Sequence, residues 1–231
     1  MKYIIINADD FGLHKSIDEG IINLIKHDKI SDLSVMPSGD SFYRSKKKLK
    51  LNGITNVGVH LTLVGNEKSI SKSNLFTNGA NNDYRFFEER KNIFLTIIFN
   101  YKQSLYEIKK EFDAQIKEVL SSGLKITHLD THQHLHLFPP IGLILIDLAK
   151  KYSIRFIRIP TINNFKNAKI NLLVYGVVKI FSQILKRNAN NNKIQFISFT
   201  GFNESGILSK QKFYDLISNI KNKYTEIMCH P

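Results

Sequence analysis

The sequence predicts an α/β fold of about seven mostly parallel strands in one domain, either a single (β/α) barrel-like domain or a doubly wound sheet. Three observations predict it. Short β-rich runs alternate with longer helix-like segments along the chain, as strands joined by crossover helices do. The 231 residues suffice for one sizeable core, and 42% hydrophobic content marks a globular chain. Polar, chemistry-bearing residues fall at the carboxyl ends of the expected strands, where parallel α/β folds carry their sites. No internal repeat or composition shift marks a second domain, so residues 1–231 read as one.

Taken in order, the first strand is expected at Lys2–Ala8, leading into Asn7-Ala-Asp-Asp-Phe-Gly12. A helix-like segment covers Ser16–Lys26 and a strand Asp32–Met36. Lys46-Lys47-Lys48 reads as the exposed face of a helix. Asn56–Thr62 is the third strand. Asn66–Arg90, polar and rich in Asn and Ser, breaks the rhythm and reads as a long loop beside the site. The next helix is Ser104–Leu120, with Gly123 as its C-cap, followed by a strand at Lys125–Thr131. Pro139-Pro140 opens a helix that ends near Tyr152, since proline is tolerated in a first turn. A strand at Arg155–Ile159 precedes a loop at Asn163–Lys169. The apolar stretch from Ile170 to Leu185 is interrupted by Lys179, Ser182 and Gln183 and falls short of a bilayer span, so it reads as a buried or partly buried helix. A loop at Asn188–Lys193, a strand at Ile194–Phe199, a helix at Ser209–Lys221 and a seventh strand at Glu226–His230 complete the pattern.

The net charge of +13 invites a nucleic-acid or membrane surface. The lysines are scattered, however, and Lys, Asn and Ile abound throughout, as an AT-biased coding sequence produces. Neither nucleic acid nor membrane is therefore expected as a partner. The single cysteine, Cys229, excludes an intrachain disulfide. No signal peptide is visible, and the default location is the cytoplasm.

Four of the eight histidines lie within nine residues: His128, His132, His134 and His136. All share parity with Asp130. One extended segment would send every one of them to a single face. A carboxylate and several imidazoles on one face suit a divalent metal or a proton relay. The run is too long for all four to converge, because a strand rises ~3.3 Å per residue. His128 is therefore expected inside the barrel and His136 beyond the strand, with His134 the alternative ligand if the strand bends. Asp9 and Asp10 close the first strand; from an extended strand adjacent aspartates point apart, so one could bind a metal while the other acts as a base. Taken alone, Asp-Asp-Phe-Gly reads rather as a turn or helix N-cap. His60, in Gly58-Val-His-Leu-Thr62, would alone be a core residue. Arg158 in Arg158-Ile-Pro160 could orient a carboxylate or equally lie on the surface. His230 ends the seventh strand, and Cys229 should face away from it as a core thiol.

Asn7-Ala-Asp-Asp-Phe-Gly12, Gly58-Val-His-Leu-Thr62, Thr127-His-Leu-Asp-Thr-His-Gln-His-Leu-His-Leu-Phe-Pro139 and Met228-Cys-His-Pro231 together resemble the YdjC-like carbohydrate deacetylases, the chitooligosaccharide deacetylase family. The resemblance runs from residue 3 to the last residue in the family's motif order. It implies a barrel-like fold, one divalent metal ion (magnesium or zinc foremost) and hydrolysis of the N-acetyl group of an amino sugar in a short oligosaccharide. Carried over by motif, Asp10, His60 and His132 resemble the metal ligands, Asp9 the general base, His230 the general acid, and Arg158 the residue that holds the base. Members of that family continue past Cys-His-Pro into a final helix and strand, whereas this sequence ends at Pro231. The barrel's closure and the placing of His230 are the points on which that difference bears.

Two other readings use the same residue types. Another barrel metallohydrolase, an amidohydrolase or phosphoesterase, would bring a His-x-His pair on the first strand, where two aspartates stand here. A truncated or degenerate relative would bind glycan or metal without turnover. A homodimer is compatible with either.

Overall fold

The computed structural model describes residues 3–79, 83–160, 172–201, 208–220 and 224–230. The expected loop at Asn163–Lys169, the starts of the expected strand at Lys2 and helix at Ile170, and Pro231 lie outside them. Seven strands, β1 (Tyr3–Phe11), β2 (Asp32–Val35), β3 (Asn56–Leu61), β4 (Lys125–Thr131), β5 (Phe156–Pro160), β6 (Gln195–Thr200) and β7 (Tyr224–Cys229), form a closed barrel in sequence order. Every pairing is parallel, and β7 closes the ring on β1 from Tyr3↔Tyr224 to Ala8↔Cys229. The helices are α1 (Lys15–Lys26), α2 (Phe42–Leu51), α3 (Arg90–Phe99), α4 (Tyr101–Ser121), α5 (Pro139–Lys151), α6 (Leu172–Asn191) and α7 (Lys210–Ser218).

The strands' alternation puts chemistry inside and apolar packing outside. Asn7, Asp9, Ser34, His60, His128, Asp130, Arg158 and Glu226 are buried and contact one another within the barrel. Their neighbours Ala8, Leu33, Val35, Val57, Val59, Leu61, Leu129, Ile157 and Ile159 belong to the apolar core with helix residues such as Ile21, Leu49, Ile116, Leu145 and Ala149. The core thus lies between sheet and helices, while the barrel interior is polar where branched apolar layers are usual.

Two local differences from the sequence pattern have physical causes, and the lysine run falls on a helix as expected. Helix α3 was not expected: it is apolar on both faces, with Ile93 and Ile97 buried but Ile98 and Phe99 exposed, so no 3.6-residue period signals it. Helix α6 runs through Asn188 to Asn191, where a loop was expected. The Asn188 and Asn192 side-chain amides donate back to the carbonyls of Ile184 and Asn188, at 2.8 and 2.9 Å, and Ala189 is fully buried. The lysine run lies on α2, where the Lys46 ammonium pairs with Glu118 at 2.9 Å.

The long segment after β3 is pinned by α4. The Glu111 carboxyl group accepts from Ser69 Oγ at 2.6 Å, Ile70 N at 3.0 Å and Ser71 N at 2.9 Å. Gln115 accepts from Thr62 N at 3.0 Å and donates to Thr62 O at 2.7 Å, directly after β3. Replacing Glu111 by Ala takes the acceptor from two part-buried backbone N–H groups and from the buried Ser69 hydroxyl. We expect a loss of about 2–4 kcal/mol and a fall in Tm of roughly 5–15 °C. Faster proteolysis within residues 66–87 should accompany it. An unchanged Tm would show that this segment does not depend on Glu111.

Candidate metal and acid–base centre

The first carboxylates owe their placement to a β-bulge. Ala8 pairs with Leu33 and Phe11 with Val35, so three steps of β1 face two of β2. Asp10 takes up the extra residue with φ +69°. The bulge suspends the alternation that would have pointed Asp9 and Asp10 apart, and both carboxylates reach the centre. The turn beyond is held by Asp18 of α1, which accepts from Gly12 N at 2.6 Å and Ser41 Oγ at 2.7 Å. Gly12 has φ +102°, and a Cβ there would stand 2.7 Å from Met36 O, so only glycine fits.

The histidine run is not one strand. β4 ends at Thr131, and His132–Leu137 folds into tight turns across a kink, with Gln133 and His134 at φ 52° and 55°. Thr131 Oγ1 drives the fold-back: it accepts from His136 N at 3.1 Å and bonds His136 Nδ1 at 2.7 Å. His136 is fully buried, and its Nε2 donates to the Arg158 carbonyl at 2.7 Å. Burial drives the His136 pKa down to about 4. His134, the alternative ligand, packs its ring against Phe199 at 5.5 Å instead. Burial, then the positive groups around it, holds the His134 pKa well below the usual imidazole value. The single face expected of the run is therefore corrected: His128 and Asp130 stay on the strand, and His132 alone of the later histidines turns into the centre.

There Asp10, His60 and His132 meet. Asp10 Oδ1 lies 3.4 Å from His60 Nε2 and 3.4 Å from His132 Nδ1, and the two nitrogens are 3.3 Å apart. Three ligands about 2.1 Å from a tetrahedral ion would be spaced about 3.4 Å apart. Asp10 Oδ1 is buried and accepts no hydrogen bond. The other nitrogen of His60, Nδ1, bonds Asp130 Oδ1 at 2.5 Å, leaving Nε2 facing the triangle. The donors thus fit a divalent cation by spacing, by ligand type and by the unsatisfied oxygen. Burial opposes the charge on Asp10, but the adjacent His132 and the charges of His60 and His230 take its pKa to about 2. Burial likewise disfavours charge on His60, but Asp130, Asp9 and Asp10 outweigh it and raise its pKa to about 9.

Beneath the triangle lies Arg158, fully buried. Its Nη1 and Nη2 donate to Asp9 at 2.6 and 2.8 Å, Nε donates to Glu226 at 2.8 Å, and Nη2 also reaches Asp130 at 2.9 Å. Asp9 Oδ1 further accepts from Asn7 Nδ2 at 2.6 Å. Oxygens of Asp9 and Asp130 and a nitrogen of His60 all lie within 4.8 Å of one another. On the exposed side, His230 Nε2 stands 3.9 Å from Asp10 Oδ2. The Cys229 thiol bonds Asn7 O at 3.3 Å, on the other side of β7. Burial, then the Asp9 charge, pushes its pKa up to about 12.

Asp9, Asp10, His60, His132, Arg158 and His230, the six residues singled out in the sequence, thus come together at one end of the barrel. Glu226 and Ser34 belong to the same network and went unnoticed. Glu226 had a signal: it shares parity with His230 on the last strand. Ser34, in an apolar strand, had none.

The sequence profile of YdjC-like proteins matches residues 3–231. This chain belongs to the YdjC-like family. A carbohydrate deacetylase of Oceanobacillus iheyensis is 25% identical over 234 residues, covering 94% of this chain and 96% of that protein. A carbohydrate deacetylase of Clostridium beijerinckii is 28% identical, covering 91% of this chain and 86% of its own length. The crystal structure of an Enterococcus faecalis V583 protein described as a cellobiose-phosphate cleavage protein superposes with a TM-score of 0.72, at 21% identity, over 100% of this chain and 81% of that one. This structural likeness establishes the barrel fold.

Two outcomes follow from the geometry. His132→Ala should abolish divalent-ion binding in calorimetric titrations, whereas His136→Ala, though less stable, should keep most of it; equal loss in both would put the ion elsewhere. Cys229, whose thiolate is disfavoured by burial and by the Asp9 charge, should react with a disulfide reagent at pH 8 more slowly than free cysteine. Rapid labelling of the folded protein would contradict its thiol state.

Proposed function

We propose that this YdjC-like protein is a metal-dependent carbohydrate deacetylase. On this reading, residues 1–231 act as one domain that hydrolyses the N-acetyl group of an amino sugar in a short oligosaccharide. The observation that carries the reading is the Asp10–His60–His132 triangle, set between a locked aspartate and a partly exposed histidine. The relatives named as carbohydrate deacetylases support the substrate class. No helix among the described residues is long and apolar enough to cross a membrane.

Asp10, His60 and His132 would hold the ion. A divalent cation there polarises the amide carbonyl and acidifies water. Magnesium and zinc both accept this mixed oxygen and nitrogen set. Asp9 is the proposed base, accepting the proton of the attacking water. Arg158 grips both Asp9 oxygens, so the carboxylate cannot rotate away from the reacting atoms. Small errors of position are costly in catalysis, which is what such a clamp prevents. His230 is the proposed acid, partly exposed and 3.9 Å from Asp10 Oδ2, from where an imidazolium would protonate the departing amine nitrogen.

Acetate release from N,N′-diacetylchitobiose tests the reading. Wild type supplied with zinc or magnesium should release acetate, and removal of the ion by a chelator should stop it. Asp9→Asn should lose at least about a hundredfold in rate while binding the ion as before. His230→Ala should fall by about 10²–10⁴. Full turnover by either variant would remove that residue from the mechanism, and no acetate from wild type would defeat the deacetylase assignment.

A further inference from the structure

The triangle's arrangement depends on a hydrogen-bonded assembly deeper in the barrel, for which the proposed chemistry has no direct use. Its centre is the Ser34 hydroxyl. Ser34 Oγ lies 2.9 Å from Asp130 Oδ2, 3.0 Å from His128 Nε2 and 3.2 Å from Asn7 Nδ2. A hydroxyl has one proton to give. The Asp130 carboxylate can only accept, so Ser34 donates to Asp130. Asn7 Nδ2 is a donor by constitution. His128 Nε2 must therefore carry a proton and donate to Ser34. The same Nε2 stands 3.6 Å from Asp130 Oδ2, and Nδ1 bonds Thr127 Oγ1 at 2.9 Å.

Asp130 is consequently fixed at both oxygens. Oδ2 accepts from Ser34 and from Arg158, and Oδ1 faces His60 Nδ1. A rotation of this carboxylate would tilt the His60 ring and swing Nε2 out of the triangle. The backbone makes room for the support. A Cβ on Gly58 would overlap Nε2 and Cε1 of His128 at 2.2 Å and approach Ser34 Oγ at 2.7 Å. Gly58 stands two residues before His60 on β3, so the strand that carries the ligand also gives up a side chain to admit the ring supporting it.

We infer that His128 and Ser34 are positioning residues for the metal centre: Gly58 admits His128, His128 and Ser34 lock Asp130, and Asp130 aims His60 at the ion. The inference rests on the metal-site reading above. His128 Nε2 bonds Ser34 and stands 3.6 Å from Asp130, while its Nδ1 faces Asp32 Oδ2 at 3.8 Å, so its route to His60 runs through Ser34 and Asp130. Removing an outer partner of a liganding histidine typically weakens metal binding 10–100-fold.

The test is a set of zinc and cobalt titrations of the metal-free chain. His128→Leu fills the space and removes the donor, whereas His128→Gln keeps an N–H near the position of Nε2. Leu should weaken zinc binding about 10–100-fold, and Gln should stay within about threefold of wild type. The visible spectrum of bound cobalt should be unchanged in Gln and altered in Leu. Ser34→Ala, which deletes one oxygen, should resemble Leu and guards against a His128→Leu chain that fails to fold. Wild-type zinc affinity in Ser34→Ala would overturn the inference, as would equal weakening by Leu and Gln, which indicates packing alone. A wild type that binds no divalent ion would overturn the metal-site reading itself, and this inference with it.

Discussion

Arg158 is the constraint from which the rest of the centre follows. A guanidinium with no exposure to water costs several kcal/mol to desolvate and is tolerable only among well-placed acceptors. Asp9 on β1, Asp130 on β4 and Glu226 on β7 provide them, so the pairings cross the barrel and bind four of its strands to one group. Leaving any partner unmatched inside the barrel would cost more than the contact contributes. The positions of all four side chains are therefore over-determined. The Arg158 carbonyl accepts from His136, which extends the same control to the turn presenting His132.

That choice of interior moves stability elsewhere. Branched apolar layers normally fill a parallel barrel, and here ionic and amide groups replace them through its middle. The apolar core lies between sheet and helices, and glycine is used where the interior is tightest. Gly12 lets the chain turn under Met36, and Gly58 lets an imidazole approach the sheet. The loops above the centre are held by buried hydrogen bonds from Asp18 on one side and Glu111 with Gln115 on the other. The triangle thus sits on a scaffold whose loops are fastened by polar contacts.

The barrel was legible because strand alternation, helix spacing and strand-end chemistry all pointed the same way. The side chains that meet at the centre were legible because aspartates and histidines stood at those strand ends. What escaped was geometry without a compositional trace. The bulge at Asp10 leaves no mark in the residue order, so two adjacent aspartates looked destined for opposite faces. The histidine run kept a strand's alternation, but the Thr131 hydroxyl offered a competing hydrogen bond and the backbone left the sheet. Helix α3 was hidden by apolar residues on both faces, and Ser34 by being a small residue in an apolar strand.

The centre also shows how three aspartates of identical chemistry are set apart. Asp9, Asp10 and Asp130 are all buried around His60, in two groups that share it, and their partners differ. Asp9 has both oxygens gripped by a cation, which fixes its direction. Asp130 is divided, one oxygen toward Ser34 and Arg158 and the other toward His60, which makes it a link between the polar interior and the triangle. Asp10 alone keeps a buried oxygen without a hydrogen bond, facing two imidazole nitrogens. Environments that separate like groups are how acid, base and ligand roles are divided in an active site. In this protein the separation is produced by the bulge that turns Asp10 out of register and by the guanidinium that claims Asp9 and Asp130. An Asp10 kept on the regular strand would point away from the histidines, and the triangle would lose its oxygen.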